Sequence, residues 1–195
     1  MPLDFLLVLI FSYLLGSINS AIIFSKICHL PDPRTVGSNN PGATNVYRTA
    51  GKTTAVAVLL FDVLKGIIAT WGSYYIGLTP IEIGFAGLFC CLGHMYPIFF
   101  GFKGGKAVAT GLGCLLPVGL SLGISVLAVW YLVFRKTGYS SIAAIVSVSL
   151  SPFITFYIDD RYVIPVTMIA CLIVLRHIPN VIRLINGNEP KTKRN

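Results

Sequence analysis

The stretch AVATGLGCLLPVGLSLGISVLAVWYLVF, from Ala107 to Phe134, decides the fold. One bilayer crossing takes about 20 apolar residues as a helix, so the run is long for one crossing and short for two. Gly111, Gly113, Pro117, Gly119 and Gly123 interrupt it, which suits a tight turn between two short helices. Around it, the apolar runs near 4–25, 53–76, 81–100, 140–158 and 162–178 each have the length of a single crossing. Two crossings in the central run bring the total to about seven transmembrane helices.

Charge supports two crossings. With two, Lys26, Arg34, Arg48, Lys52, Lys103, Lys106, Arg135, Lys136, Arg176, Arg183, Lys191, Lys193 and Arg194 share one side. Only Arg161 lies on the other, and Lys65 falls inside a span. With a single crossing the basic residues divide evenly. Short loops rich in Lys and Arg stay in the cytoplasm, so the first arrangement is favoured. It puts the N-terminus outside and the C-terminus inside. A re-entrant hairpin over 107–134 leaves the same sidedness.

Composition agrees. The 195 residues are 55% hydrophobic and 11% charged, with a mean hydropathy of +0.79; a soluble domain of this size carries far more charge. The net charge of +8 falls between apolar runs, which reads as topological charge and not as a nucleic-acid footprint. Cys28, Cys90, Cys91, Cys114 and Cys171 mostly lie in apolar runs without Cys-x-x-Cys spacing, and His29, His94 and His177 are far apart. The cysteines read as small apolar residues, and no metal site or cofactor is expected. The first run has no preceding basic residue and no small-x-small cleavage site, so it reads as a retained helix. Residues 1–195 thus form one all-α polytopic membrane domain. Small residues such as the run from Gly16 to Ala21 suit close helix packing.

Three polar segments share the basic face. The first, VGSNNPGATNVYRTAGK (Val36 to Lys52), offers backbone N–H groups, hydroxyls and Arg48 near a helix start, the parts of an anion site. In the second, GHMYPIFFGFKGGKAVAT (Gly93 to Thr110), Gly101, Gly104 and Gly105 surround Lys103, and Lys106 opens the next helix. Glycines let a backbone approach phosphate closely. Phe100 stands where a Walker A loop needs glycine and Ala107 where it needs Ser or Thr, so this is not a Walker A loop and the pattern argues against a nucleoside triphosphatase. The third, RHIPNVIRLINGNE (Arg176 to Glu189), sets Arg176, Asn180 and Arg183 at helical spacing. Asp62 and Lys65, three residues apart within a span, are either a structural ion pair or a brace for a polar site. Each segment alone is explained by turns, caps or lipid contact. Together they predict a site for a phosphate-bearing, lipid-soluble substrate at the membrane interface.

The segments GSNNPGATNVYR, GHMYPIFFGFKGGKAVAT and RHIPNVIRL…E resemble the three signature motifs of the PlsY family, and FDVLKG (Phe61 to Gly66) is similar to that family's second helix. These are bacterial acyl-phosphate:glycerol-3-phosphate acyltransferases. The resemblance implies acyl transfer from acyl phosphate to the sn-1 hydroxyl of glycerol 3-phosphate, giving lysophosphatidic acid and phosphate, the first acyl transfer of phospholipid synthesis. It implies a multi-pass protein of the bacterial inner membrane with its active site on the cytoplasmic side. Its donor comes from a soluble phosphate acyltransferase. The family's pattern makes Ser38 and Arg48 required and assigns Gly101, Gly104, Gly105 and Lys106 to glycerol phosphate binding. It gives His177 and Asn180 a part in activity and Glu189 a structural part.

The His-x4-Asp dyad of other glycerolipid acyltransferases is absent, since Arg34, Phe99 and Ile182 stand five residues after the three histidines. Acyl phosphate carries a good leaving group, so the protein is expected mainly to position and neutralise. Arg48 and Lys106 are expected to hold phosphates, with Gly104 and Gly105 N–H groups cradling one. Ser38 and Asn45 are expected to orient the donor. Either the leaving phosphate or His177 takes the hydroxyl proton. Ser140 and Ser141 cap a helix on the same face and are candidate phosphate contacts. The competing class is a small transporter of phosphate-bearing solutes; no internal repeat supports it, and Asp62 and Lys65 alone are polar near the midplane.

Overall fold

The computed structural model describes residues 3–192, and these are all-helical. Ten α-helices follow one another: α1 (Leu3–Ser17), α2 (Ser20–Ile27), α3 (Ala43–Ala50), α4 (Lys52–Tyr75), α5 (Pro80–Met95), α6 (Val108–Leu115), α7 (Leu120–Thr137), α8 (Ser140–Ile158), α9 (Val163–Arg176) and α10 (Ile178–Ile185).

Local chemistry sets the breaks. Asn19 interrupts the first apolar run and caps α2, its side chain accepting from Ile22 N at 3.1 Å. Part of the Gly16–Ala21 run therefore serves capping and a polar network as well as packing. Gly51, at φ 86°, turns the chain between α3 and α4. Thr79 and Glu82 form a capping box at the start of α5. The α9 axis bends by 46° into α10 at His177, and Pro179 sits in the first turn of α10, where its missing N–H costs nothing.

The central run resolves unequally. Its glycines and Pro117 do end one helix and begin another: Gly119 N donates to Leu115 O across the turn. Yet α6 has only eight residues, about 12 Å of helix against the ~30 Å bilayer core. Only α7 is long enough to cross. Among the described residues five helical segments are long and apolar enough to span, or six with the bent α9–α10 pair. The seventh helix expected from the sequence is therefore the half-length α6.

Close backbone approach seats these elements. α5 lies against α1, α4 and α9. A Cβ on Gly16 would collide with Cys90 O, and one on Gly93 with Tyr13 O, so α1 and α5 meet backbone to backbone. Gly66 and Gly113 do the same for α4 and α6, facing Thr110 O and Val63 O. α7 packs on α8 and touches α6. α4 and α7 flank a cleft without packing extensively on each other.

Candidate active site

A cavity of ≈ 640 Å³ runs from the loops at one end of the bundle into the cleft between α4 and α7. Its two ends differ in chemistry. Ser38, Arg48, Lys106, Ser141, His177 and Asn180 line the polar end. Leu59 of α4, Leu112 of α6, Leu127 and Trp130 of α7, and Ala144 and Val148 of α8 line the apolar end. All three polar segments thus meet on one cavity.

Arg48, near the end of α3, is half-buried. Its Nη2 donates to Pro190 O at 3.1 Å and to Thr192 Oγ1 at 2.9 Å, while its buried Nε has no partner among the described residues. Burial lowers the Arg48 pKa, and the charge of Glu189 opposes that; a guanidinium stays charged regardless. Lys106 makes no hydrogen bond or ion pair among the described residues. Burial pushes its pKa down to about 8, with Arg183, Arg176 and Arg48 adding repulsion and Glu189 opposing. Four cations around one carboxylate leave this end short of negative charge.

Glu189 holds the tail together. It accepts from Asn180 Nδ2 at 2.7 Å and Arg183 Nε at 2.8 Å. Burial raises its pKa, but those bonds more than offset it and the net shift is downward. Ser141 Oγ lies near enough to favour that carboxylate, yet among the described residues it is buried without a hydrogen bond of good geometry. The bond to Glu189 orients the Asn180 amide and leaves its Oδ1 buried, with no partner among the described residues. His177 Nδ1 lies 2.8 Å from Ile173 O; a carbonyl only accepts, so Nδ1 carries the proton and Nε2 is the free acceptor. Two acceptors, Asn180 Oδ1 and His177 Nε2, therefore stand beside the cations.

Several expected roles change. Asn45 lines the cavity but its amide is spent on its own loop: Oδ1 accepts from Ser38 N at 2.8 Å, and Nδ2 donates to Pro33 O and Val36 O. It shapes the loop that presents Ser38, whose hydroxyl makes no hydrogen bond among the described residues. The Gly104 and Gly105 N–H groups do not cradle a phosphate. They donate to Met95 O and His94 O, both at 3.1 Å. Glycine is required there because a Cβ would collide with His94 O or His94 Nε2. Gly101 lies outside the cavity, at φ 66° in the turn after Pro97. Free N–H groups come instead from the first turn of α6, where Val108 and Ala109 line the cavity. Ser140 is held by Thr44, Oγ to Oγ1 at 3.1 Å.

Asp62 and Lys65 are an ion pair, 2.9 Å apart and almost fully buried. The pair is part of a network the sequence reading missed. Lys65 Nζ also donates to Gly16 O and Ile18 O, both at 3.1 Å, and lies 2.8 Å from His94 Nδ1. Ser20 Oγ donates to Asp62 Oδ1 at 2.9 Å. Charges inside a span need partners, and that need was the available signal for His94.

A helical membrane bundle with a cation-lined mouth opening into an apolar cleft has the surfaces of a membrane enzyme that takes a phosphate-bearing substrate. The glycerol-3-phosphate acyltransferase family model matches residues 6–187, and the chain belongs to that family. It is 56% identical over 185 residues to the glycerol-3-phosphate acyltransferase of Pseudoalteromonas translucida, covering 95% of this chain and 91% of that protein. The Vibrio cholerae enzyme is 56% identical over 183 residues, covering 94% and 88%. Among solved structures, the glycerol 3-phosphate form of the integral membrane acyltransferase PlsY (YgiH) superposes with a TM-score of 0.91 at 38% identity, covering 97% of this chain and 96% of that one. Its lysophosphatidic acid form gives 0.89 at 37% identity, covering 96% and 95%. The chain is an acyltransferase of phospholipid synthesis and an integral membrane protein.

Proposed function

We propose that the chain transfers a fatty acyl group from acyl phosphate to the sn-1 hydroxyl of glycerol 3-phosphate, releasing lysophosphatidic acid and inorganic phosphate. One cavity carries this reading: its cationic mouth fits two phosphates, and its apolar cleft fits the one acyl chain they exchange. The glycerol 3-phosphate and lysophosphatidic acid forms of the similar PlsY structure support the acceptor and the product.

The hydroxyl oxygen attacks the acyl carbonyl carbon. A new C–O bond forms, the bond from that carbon to the phosphate oxygen breaks, and phosphate leaves. Lys106 and the first turn of α6 hold the glycerol phosphate, while Arg48 neutralises the donor phosphate. Asn180 Oδ1 and His177 Nε2 accept from the glycerol hydroxyls and so orient the nucleophile. The leaving phosphate takes the hydroxyl proton. His177 is the poorer base, because burial first and then its cationic neighbours Lys106 and Arg176 disfavour an imidazolium, which outweighs the support of the Ile173 carbonyl and of Glu189.

The charge asymmetry supports an N-terminus outside, a C-terminus inside and a cytoplasmic mouth on the bacterial inner membrane. There a soluble phosphate ester meets a membrane-borne donor supplied by a soluble phosphate acyltransferase.

The test is direct. Purified protein in liposomes, given acyl phosphate and labelled glycerol 3-phosphate, is expected to yield labelled 1-acyl-glycerol 3-phosphate and one phosphate per turnover. Uptake of label without acylation would instead support transport of phosphate-bearing solutes.

A further inference from the structure

The buried network beneath the mouth has a geometry that stability alone does not call for. Four partners converge on Lys65 Nζ: Asp62 Oδ1, Gly16 O, Ile18 O and His94 Nδ1. A lysine ammonium has three hydrogens, which the carboxylate and the two carbonyls can take in full, and His94 Nδ1 sits against both members of the pair, 3.5 Å from Asp62 Oδ1. The His94 ring is thereby held in one orientation, on α5, which is itself locked to α1 by glycine contacts.

His94 then meets both ends of the phosphate-facing loop. Its main-chain oxygen receives Gly105 N at 3.1 Å. Its ring fills the space where a Gly105 Cβ would stand. Its Nδ1 lies 3.3 Å from Thr110 Oγ1 on α6, and Thr110 is fully buried. Between those two anchors lie Lys106 and the free N–H groups of Val108 and Ala109.

We infer that His94, oriented by the Asp62–Lys65 pair and tied to Thr110, sets the height and direction of the Gly104–Val108 segment so that Lys106 and the start of α6 converge on the phosphate of glycerol 3-phosphate. His94 and Thr110 are positioning residues, and the inference rests on the reading above that this segment holds that phosphate.

A positioning role separates KM from kcat. Thr110→Val removes the tether while keeping volume. It is expected to raise KM for glycerol 3-phosphate about fivefold, the worth of one hydrogen bond. The kcat and the KM for acyl phosphate should stay within about twofold. His94→Ala should raise the same KM about tenfold or more, and His94→Asn, which keeps a hydrogen-bonding group near the Nδ1 position, should recover most of the loss. Thr110→Val decides the matter where His94→Ala does not fold. A well-folded Thr110→Val with unchanged KM, or with kcat reduced alone, overturns the inference. Lys106→Met separates the two claims. If it leaves KM for glycerol 3-phosphate unchanged, the phosphate assignment itself fails. If it raises that KM while Thr110→Val and His94→Ala do not, the positioning role alone fails.

Discussion

The molecule has two polar regions inside an apolar bundle, and each contains a lysine, a histidine and a carboxylate. In the buried one, Asp62, Lys65 and His94 use their charges and lone pairs on one another, on Ser20 and on helix carbonyls. In the mouth, Arg48 Nε and Asn180 Oδ1 are buried and, like Lys106, have no partner among the described residues. A satisfied network rigidifies, whereas an unsatisfied one awaits a ligand. In the proposed mechanism the same residue types thus serve structure in one place and chemistry in the other, and partner saturation tells them apart.

The contrast breaks most sharply on Arg48. Arg48→Lys keeps the charge but loses the planar fork. Two charge-assisted bonds are worth about 3–6 kcal/mol together, so kcat/KM should fall at least about 100-fold in the acyltransfer assay while the melting temperature barely moves. Near-normal activity would remove the bidentate role.

Lys65→Met should do the reverse. Removing one partner of a buried ion pair costs about 3–5 kcal/mol because the other charge is stranded. Thermal unfolding in detergent should show a large drop, and Asp62→Asn in the same chain should restore part of it. An unchanged melting temperature would mean that the pair contributes nothing to the bundle.

His177→Ala sharpens the site half. Loss of a general base costs about 10²–10⁴-fold, whereas loss of one orienting acceptor costs about tenfold. About a tenfold fall in kcat, with no change in the acidic limb of the pH profile, fits the orienting role.

The smallest effect is pH-dependent. Lys106 is charged below its pKa of about 8 and neutral above it, while a phosphate monoester gains its second charge near pH ~6. KM for glycerol 3-phosphate should be lowest between these values and rise above about pH 8, by no more than tenfold per unit. In Lys106→Arg the alkaline rise should vanish; its persistence would assign that limb to another group.

Much of this was legible in the chain. Apolar run lengths and the one-sided basic residues define a helical membrane protein, because the bilayer core dictates both length and charge placement. Ser38, Arg48, Lys106, His177 and Asn180 were all identifiable, and the fold brings them to one cavity. What failed depends on distances that no local pattern encodes. A glycine signals either a free N–H or a close approach, and only the position of His94 shows that Gly104 and Gly105 mean the latter. Asn45 has the composition of a ligand but bonds to Pro33 and Val36 within its own loop. The half-length α6 was hidden because Pro117 and the flanking glycines mark a turn without saying how far the chain has travelled toward it.

One cavity joins the phosphate mouth to the acyl cleft. Ala144, fully buried on α8, stands on the cleft wall. In Ala144→Phe the profile of accepted acyl phosphates, measured across chain lengths in a protein with an unchanged melting profile, should shift toward short chains while KM for glycerol 3-phosphate holds. An unaltered chain-length profile, or a change confined to glycerol 3-phosphate, would contradict it.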